Sequence, residues 1–389
     1  MPETQPPTTA ERPPLIGPEV SEEVVAELLD DIVETIENRR NLASRWYTDP
    51  QVFDVERSAI FTRAWLYAGA SALVDMPGMY ATTELAGVPV LIVRGEDGVL
   101  RAFLNVCRHR GCVLAQGVGT ASVLQCRYHA WTYDLTGALK GVPRSNREIG
   151  FRHEDYGLLE CSVAEWGPWI FVNLDPDATA FTEQFGDLID FVETHPDAPA
   201  VSNLEYVSRQ PAEAKANWKL AMENGMECYH CATVHPLINK CYKTGPDDFK
   251  LVCHERWALA SIWPKETIES GVPGMTDPQH FAYVFPNYAL IFGPDYIWIQ
   301  AMDPLGVDRC TYVTDFFFRK DLSEAARKEL IDANDIALWE DIGIVSEVQV
   351  GHGAGLRVGG PLFLDSEVLI ANFHQSQINN YLKKVNHAQ

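Results

Sequence analysis

Apolar residues first recur at helical spacing in residues 21–43, where Val25, Leu28, Leu29, Ile32 and Ile36 mark one face. Ser21 stands where a cap belongs, and Glu22 and Glu23 suit the positive end of the helix dipole. Residues 47–53 (YTDPQVF) read as a turn and 54–65 as a second short helix. The period then falls to two. β-Branched and aromatic runs at 80–85, 88–93, 100–106, 158–163 and 169–174 predict strands, and 130–133 with Leu139 predicts a hairpin. A helix follows at 181–192, then a strand at 204–209, then a helix from Asn217 that Pro236 must stop. Strands are predicted at 251–263, 282–292, 296–302 and 310–318. A last long helix spans 323–350, with Glu324 in its first turn and Gly351 just past its end.

An all-β run followed by an antiparallel sheet with a long helix laid across it is an α+β arrangement. The chain divides into a proline-rich disordered tail (1–18), a helical arm (19–44) expected to pack on the last domain, an all-β domain (45–165) and a sheet-and-helix domain (175–389). Its 389 residues, 46% of them apolar, suffice for about two or three domains. A formal net charge of −23 argues against nucleic acid or an anionic membrane as partner, since either requires a basic face. No apolar run approaches the ~18 residues of a membrane helix, and the first eighteen residues lack the features of a signal peptide. Nine scattered cysteines, an odd count, fit no disulfide framework and suit a reducing cytoplasm.

Two short clusters change the picture. Cys107-Arg-His109 and Cys126-Arg-Tyr-His129 are separated by sixteen residues, and each offers one thiolate and one imidazole. A zinc finger usually places two cysteines together and then two histidines. A Rieske [2Fe–2S] centre takes two Cys on one iron and two His on the other, which two loops of this kind would supply. Zinc bound by the same four residues is the alternative. A second loaded stretch, 217–236, carries His230 and His235, five apart, which a regular helix would turn about 140° from each other. They can share a metal only where the helix loosens, as Pro236 requires. Two histidines and a carboxylate with open positions form the facial triad of non-haem Fe(II) oxygenases. Asp332, Asp335, Glu340, Asp341 and Glu347 on the long helix are the available acids.

The C-x-H…C-x-x-H pattern resembles the Rieske motif. With the later histidine pair and Asn217-Trp-Lys219, the chain from about residue 20 onward resembles the α-subunit of a Rieske non-haem iron oxygenase. The resemblance implies a helix-grip catalytic domain, a [2Fe–2S] cluster on Cys107, His109, Cys126 and His129, and a mononuclear Fe(II) on His230, His235 and one acid. Asp341 is the preferred acid, with Glu340 second. The second extra cysteine of respiratory Rieske proteins is replaced by Tyr128, so Cys112 has no disulfide partner in the motif and the oxygenase or ferredoxin type is implied. Glu227 corresponds to an acid that bridges, across a subunit boundary, to a Rieske histidine in a head-to-tail homotrimer. Glutamate rather than aspartate there, within Glu-Cys-Tyr-His-Cys231, resembles the subgroup acting on quaternary ammonium compounds such as choline, glycine betaine, carnitine and stachydrine.

Such an enzyme uses O₂ and would hydroxylate, N-demethylate or cleave its substrate. The alternative is a ring-hydroxylating dioxygenase or O-demethylase of an aromatic acid. A pure electron-transfer protein would need none of the residues after 175. Neither Gly117-Val-Gly119 nor Gly353-Ala-Gly355 completes a dinucleotide fingerprint, so NAD(P)H enters only through a separate flavin and iron–sulfur reductase. Trp257, Tyr283, Tyr288, Tyr296 and Trp298 are candidates for a cage around a cation.

Overall fold

The structure, a computed structural model, describes residues 17–147, 150–245, 247–266 and 275–386. Nearly all of the expected N-terminal tail lies outside these residues. Helix α1 (Glu22–Glu37) is capped by the Ser21 side chain, and Val25, Leu28 and Ile32 are its buried face. It holds every one of the expected apolar positions but ends at Glu37, short of the expected residue 43. The expected turn at 47–53 is instead helical, as α2 (Arg45–Thr48) and α3 (Pro50–Glu56). Asp49 accepts a hydrogen bond from the Gln51 backbone, and Pro50 occupies the first helical position, so Asp-Pro here starts a helix. After α3 the chain makes one π-turn (Arg57–Phe61) and leaves the helical state. Trp65, expected to end a helix, opens a strand.

That strand, β1 (Trp65–Ala70), is followed by β2 (Met79–Leu85), β3 (Val88–Arg94), β4 (Leu100–Leu104), β5 (Val118–Thr120), β6 (Val123–Gln125), β7 (Thr132–Asp134), β8 (Leu139–Gly141), β9 (Glu160–Trp166) and β10 (Trp169–Asn173). Strands β1-β10-β9-β4-β3-β2-β5 form one sheet, and β6-β7-β8 form a small second one. Strand β10 lies past residue 165 yet completes the first sheet, while α2 and α3 pack with α1 in a separate apolar cluster.

Helix α4 (Phe181–Thr194) leads into β11 (Leu204–Ala214), and α5 (Trp218–Gly225), α6 (Cys231–Val234) and α7 (Pro236–Cys241) follow. The remaining strands are β12 (Lys250–Cys253), β13 (Trp257–Ile262), β14 (Gln279–Val284), β15 (Tyr288–Gly293), β16 (Tyr296–Gly306) and β17 (Arg309–Arg319), ordered β11-β17-β16-β15-β14-β13-β12. Every pairing is antiparallel. The single strands expected at 251–263 and 282–292 are hairpins, broken at 254–256 and 285–287 where polar residues and Pro286 interrupt the apolar run. Helix α8 (Glu324–His352) is the expected long helix; it runs through Gly351 to a cap at Gly353. Its last turn is held because His352 meets Ser44 Oγ at 3.0 Å and packs on the Tyr47 ring. A further helix, α9 (Val368–Asn386), lies against α1 and had no counterpart in the sequence reading.

Strand alternation gives the large sheet two apolar faces. Trp257, Tyr288, Ile299 and Phe317 pack toward α4 and β10. Tyr283, Trp298, Met302, Tyr312 and Phe316 belong to the core shared with α5, α8 and α9. Helix α5 is also locked from below. Lys219 Nζ meets Glu56 Oε1 at 2.5 Å with both side chains fully buried, and Trp218 Nε1 donates to the other Glu56 oxygen at 2.8 Å. Tyr47 and His374 both bond Glu223, at 2.8 and 2.9 Å. Removing one partner from so buried a pair would strand a charge, which makes this network a stiff mount for the residues that follow α5.

Candidate metal centres

The two Cys/His clusters form loops of one design. In the first, Gly111 N–H donates to Cys107 O and Cys107 N–H to Cys112 O; in the second, Ala130 N–H donates to Cys126 O and Cys126 N–H to Trp131 O. Each loop turns through a residue at positive φ, Gly111 at +73° and Ala130 at +58°. The loops face each other, with the His109 and His129 ring centroids 4.6 Å apart. His109 stacks on Trp131. Cys107 and Cys126 are 1% and 2% exposed and both are free thiols. The Nδ1 of His129 is buried without any hydrogen-bond partner. A buried orphaned imidazole nitrogen beside two buried free thiols is the donor set that a [2Fe–2S] cluster completes. Tyr133 supports the first loop, accepting the Arg108 backbone N–H at 3.1 Å and lying 3.5 Å from Cys107 Sγ.

Ala130 adopts a backbone that L side chains disfavour. Ala130→Gly is therefore expected to stabilise this domain by about 0.5–1 kcal/mol. The measurement is the denaturant midpoint for loss of cluster absorption, and an unchanged or lower midpoint would contradict it.

The second centre depends on α5 ending early. The helix stops at Gly225, α6 lasts only from Cys231 to Val234, and His235 sits at φ −112°, ψ 82° before Pro236 starts α7. These breaks bring two histidines five residues apart face to face, with Nε2 to Nε2 3.1 Å. Asp341, from α8, places Oδ1 3.4 Å from His230 Nε2 and 3.0 Å from His235 Nε2. The three donor atoms lie within 4.8 Å of one another. Asn224 Nδ2 donates to the same Asp341 oxygen at 2.7 Å.

The outer nitrogens of both rings are also held. A spacing of three would put Glu227 on the helix face of His230, but α5 has ended and the contact runs through a turn. Its carboxylate bonds His230 Nδ1 at 2.6 Å and accepts the His230 backbone N–H at 3.1 Å. Glu340, weighed as an alternative metal ligand, reaches round to His235 Nδ1 at 2.8 Å. Consecutive helix positions diverge by about 100°, so Asp341 enters between the rings while Glu340 takes an outer edge. A proton on each Nδ1 leaves both Nε2 lone pairs for one metal ion. Burial opposes charge on His230, yet Asp341 and Glu227 outweigh it and raise its pKa to about 10. Burial likewise opposes ionised Asp341, but the two imidazoles bring it down to about 2. A divalent cation bound by Asp341 and two Nε2 atoms would take over the role of those protons. Sequence reasoning missed the roles of Asn224 and Glu340, because neither hydrogen bond follows from residue type or spacing.

Of the five aromatics considered for a cation cage, Tyr283, Tyr296 and Trp298 lie on the sheet face shared with α5 and α8, whereas Trp257 and Tyr288 lie on the face toward α4. Tyr283 donates its hydroxyl to Gly225 O.

A second His/Asp trio occurs at the end of α4. Donor atoms of His195, Asp197 and His280 lie within 4.8 Å of one another. The lone pair of His195 Nδ1 is taken by the Asp197 backbone N–H at 3.2 Å, so its other nitrogen carries the proton. His280 bonds Asp197 at 3.1 Å and Ser261 at 2.9 Å. The trio is a hydrogen-bonded tie between α4 and the sheet. Burial and the adjacent His195 hold His280 down at about 4, despite the pull of Asp197. In the unfolded chain it titrates near 6.5. The unfolded state thus binds more protons between these values, and stability falls as pH drops from about 6.5 toward 4. His280→Gln is expected to flatten that part of the urea-midpoint profile, and an unchanged slope would count against it.

Among the described residues no helix is long and apolar enough to cross a membrane. Residues 64–162 match the family model "Rieske [2Fe-2S] domain", and residues 201–382 match "Ring hydroxylating alpha subunit (catalytic domain)". The chain is 31% identical over 331 residues to the carnitine monooxygenase oxygenase subunit of Acinetobacter baumannii, covering 83% of this chain and 88% of that one. It is 28% identical over 344 residues to the chloroplastic choline monooxygenase of Amaranthus tricolor, covering 85% and 75%. A crystal structure of a quaternary ammonium Rieske monooxygenase with L-carnitine superimposes with a TM-score of 0.75 at 26% identity, over 94% of this chain and 99% of that one. A naphthalene 1,2-dioxygenase from Rhodococcus sp., at 21% identity and a TM-score of 0.76 over 92% and 99% of the chains, shares the fold.

Proposed function

Because this chain belongs to the Rieske non-haem iron oxygenase α-subunits, we propose that it is the oxygenase component of a monooxygenase that oxidises a small quaternary ammonium compound at a carbon bonded to nitrogen. The observation that carries the substrate class is the charge of the second centre. Asp341, Glu227 and Glu340 surround two imidazoles, and their partners there are His230 and His235. A divalent ion set against three carboxylates leaves the centre one charge negative, which attracts a cation and repels an aromatic acid. Tyr283, Tyr296 and Trp298 add ring faces on the same side of the sheet. The relatives named for carnitine and choline support the same class.

The [2Fe–2S] cluster supplies single electrons and the Fe(II) activates dioxygen when both are bound. His230, His235 and Asp341 would hold the iron, and Glu227 and Glu340 fix the proton on each outer nitrogen, keeping both rings oriented. One oxygen atom enters the substrate and the other leaves as water. Hydroxylation beside nitrogen gives a hemiaminal, which collapses to an amine and an aldehyde. Electrons come from a separate flavin and iron–sulfur reductase, the subunits form a homotrimer in which Glu227 faces a neighbour's cluster, and the enzyme works in the cytoplasm. An exposed Tyr128 beside His129, and Tyr229 beside Glu227, give these two edges apolar surface for such a contact.

The test is a screen of betaines, carnitine and choline against aromatic acids with a reconstituted reductase. It follows NADH use, O₂ uptake, formaldehyde and trimethylamine. Substrate-dependent aldehyde or amine release with a quaternary ammonium compound is expected. Turnover of an aromatic acid alone would replace this reading with the dioxygenase or O-demethylase one.

A further inference from the structure

Tyr312 of β17 lies on the sheet face that looks toward α5 and α8, and is 2% exposed. Its hydroxyl is buried and has no hydrogen-bond partner. Its cross-strand neighbours are Ala212 on β11 and Met302 on β16, and neither side chain offers it an oxygen. Asp341 and Tyr283 lie within electrostatic range of it, on the side of the sheet that α5 and α8 cover. The Tyr283 hydroxyl is already committed to Gly225 O. A phenol keeps its proton at neutral pH, so the Tyr312 hydroxyl is available as a donor. Further along the same face, the indole N–H of Trp298 is also buried and unpartnered. Between them Gln300 and Thr314 satisfy each other at 3.1 Å. Buried polar groups are rarely left unpaired, and what this face lacks is an acceptor.

We propose that Tyr312 donates its hydroxyl hydrogen to a carboxylate of the substrate, and that the substrate is therefore a betaine-type zwitterion rather than a simple cation. This rests on the quaternary ammonium reading above. The two ends of such a molecule then sort themselves. The quaternary nitrogen is drawn to the centre with three carboxylates, and the carboxylate is received by a neutral donor, so oxidation falls at the nitrogen end. A carboxylate gains more from such a donor than a neutral hydroxyl does, because hydrogen bonds to charged acceptors are the stronger kind.

Calorimetric titration of the resting, metal-loaded oxygenase tests this without turnover. The probes are carnitine, glycine betaine, choline and tetramethylammonium, with wild type and Tyr312→Phe compared. The variant removes one oxygen and no ring volume. It should weaken carnitine and glycine betaine binding roughly 10- to 100-fold, weaken choline less, and leave tetramethylammonium, iron content and thermal midpoint unchanged. An equal loss for all four probes marks a packing role and overturns the assignment. No loss for any probe, as when only water meets the hydroxyl, overturns it too. If wild type binds none of the four, the substrate class itself falls. If wild type binds them and only the Tyr312→Phe difference is missing, the class stands and Tyr312 alone is wrong.

Discussion

Asp341→Ala is expected to release the mononuclear iron, leave the cluster spectrum intact and abolish turnover. Asp341 is the acid whose oxygen faces both Nε2 atoms, at 3.0 and 3.4 Å. Glu340→Gln and Glu227→Gln should behave differently, because each of these side chains touches an outer nitrogen, at 2.8 and 2.6 Å. Glutamine at either position can still accept a hydrogen bond from an Nδ1–H but loses the charge that reinforces it. Both variants should keep measurable iron and lose about 10- to 100-fold in affinity or activity. Metal analysis after Fe(II) loading and desalting, alongside steady-state turnover, separates the two kinds of residue. Full iron in Asp341→Ala together with its loss in Glu340→Gln would reverse the assignment. Glu227 carries a further expectation. If it faces a neighbouring cluster, Glu227→Gln should slow cluster reoxidation in the presence of substrate and O₂ by at least ~10-fold while the reductase still reduces the cluster normally.

Cys107→Ser or His129→Ala is expected to eliminate the visible absorption of the cluster, with two irons and the labile sulfide lost per subunit. The fold should survive. Tyr133, Trp131 and the strands around the loops form their own apolar cluster, and the second centre lies in another domain. Circular dichroism and gel filtration should therefore match wild type, and the variant should still load one Fe(II) on His230, His235 and Asp341. Absorption bleached by a zinc chelator, with no labile sulfide in the wild type, would instead establish zinc on the same four residues. The potential expected for a cluster without the respiratory disulfide lies in the lower part of roughly −150 to +300 mV.

Several of these conclusions were already legible in the chain. The spacing of Cys107, His109, Cys126 and His129, and the order of that motif before the His230/His235 pair, pointed to a two-centre oxygenase without any contact being known. Such legibility has a local cause. Each cluster loop is closed by its own backbone hydrogen bonds, from Gly111 to Cys107 and from Ala130 to Cys126, so each loop's turn is set by residues within five of its cysteine. The long helix and most strands were legible for the same reason, since their periodicity is a property of the segment. Where local patterns conflict, periodicity misleads: Asp49-Pro50 starts a helix rather than a turn, two apolar runs fold as hairpins rather than single strands, and α9 forms where no helix is predicted.

What only the tertiary structure decided are relations between distant segments. Asp341 and Glu340 are adjacent acids on one exposed-looking helix stretch, and nothing local says which meets an imidazole through Nε2 and which through Nδ1. That depends on how α8 lies over the ends of α5 and α6, more than a hundred residues away in sequence. The sorting of Tyr283, Tyr296 and Trp298 from Trp257 and Tyr288 is of the same kind. Alternation puts successive side chains on opposite faces of a strand, but only the packing of α4 on one face and α5 with α8 on the other says which face meets the iron. Tyr312 belongs here as well: a phenol in a strand looks like any other in the sequence, and becomes informative only when folding buries its hydroxyl on the face toward α5 and α8 with nothing to receive the hydrogen.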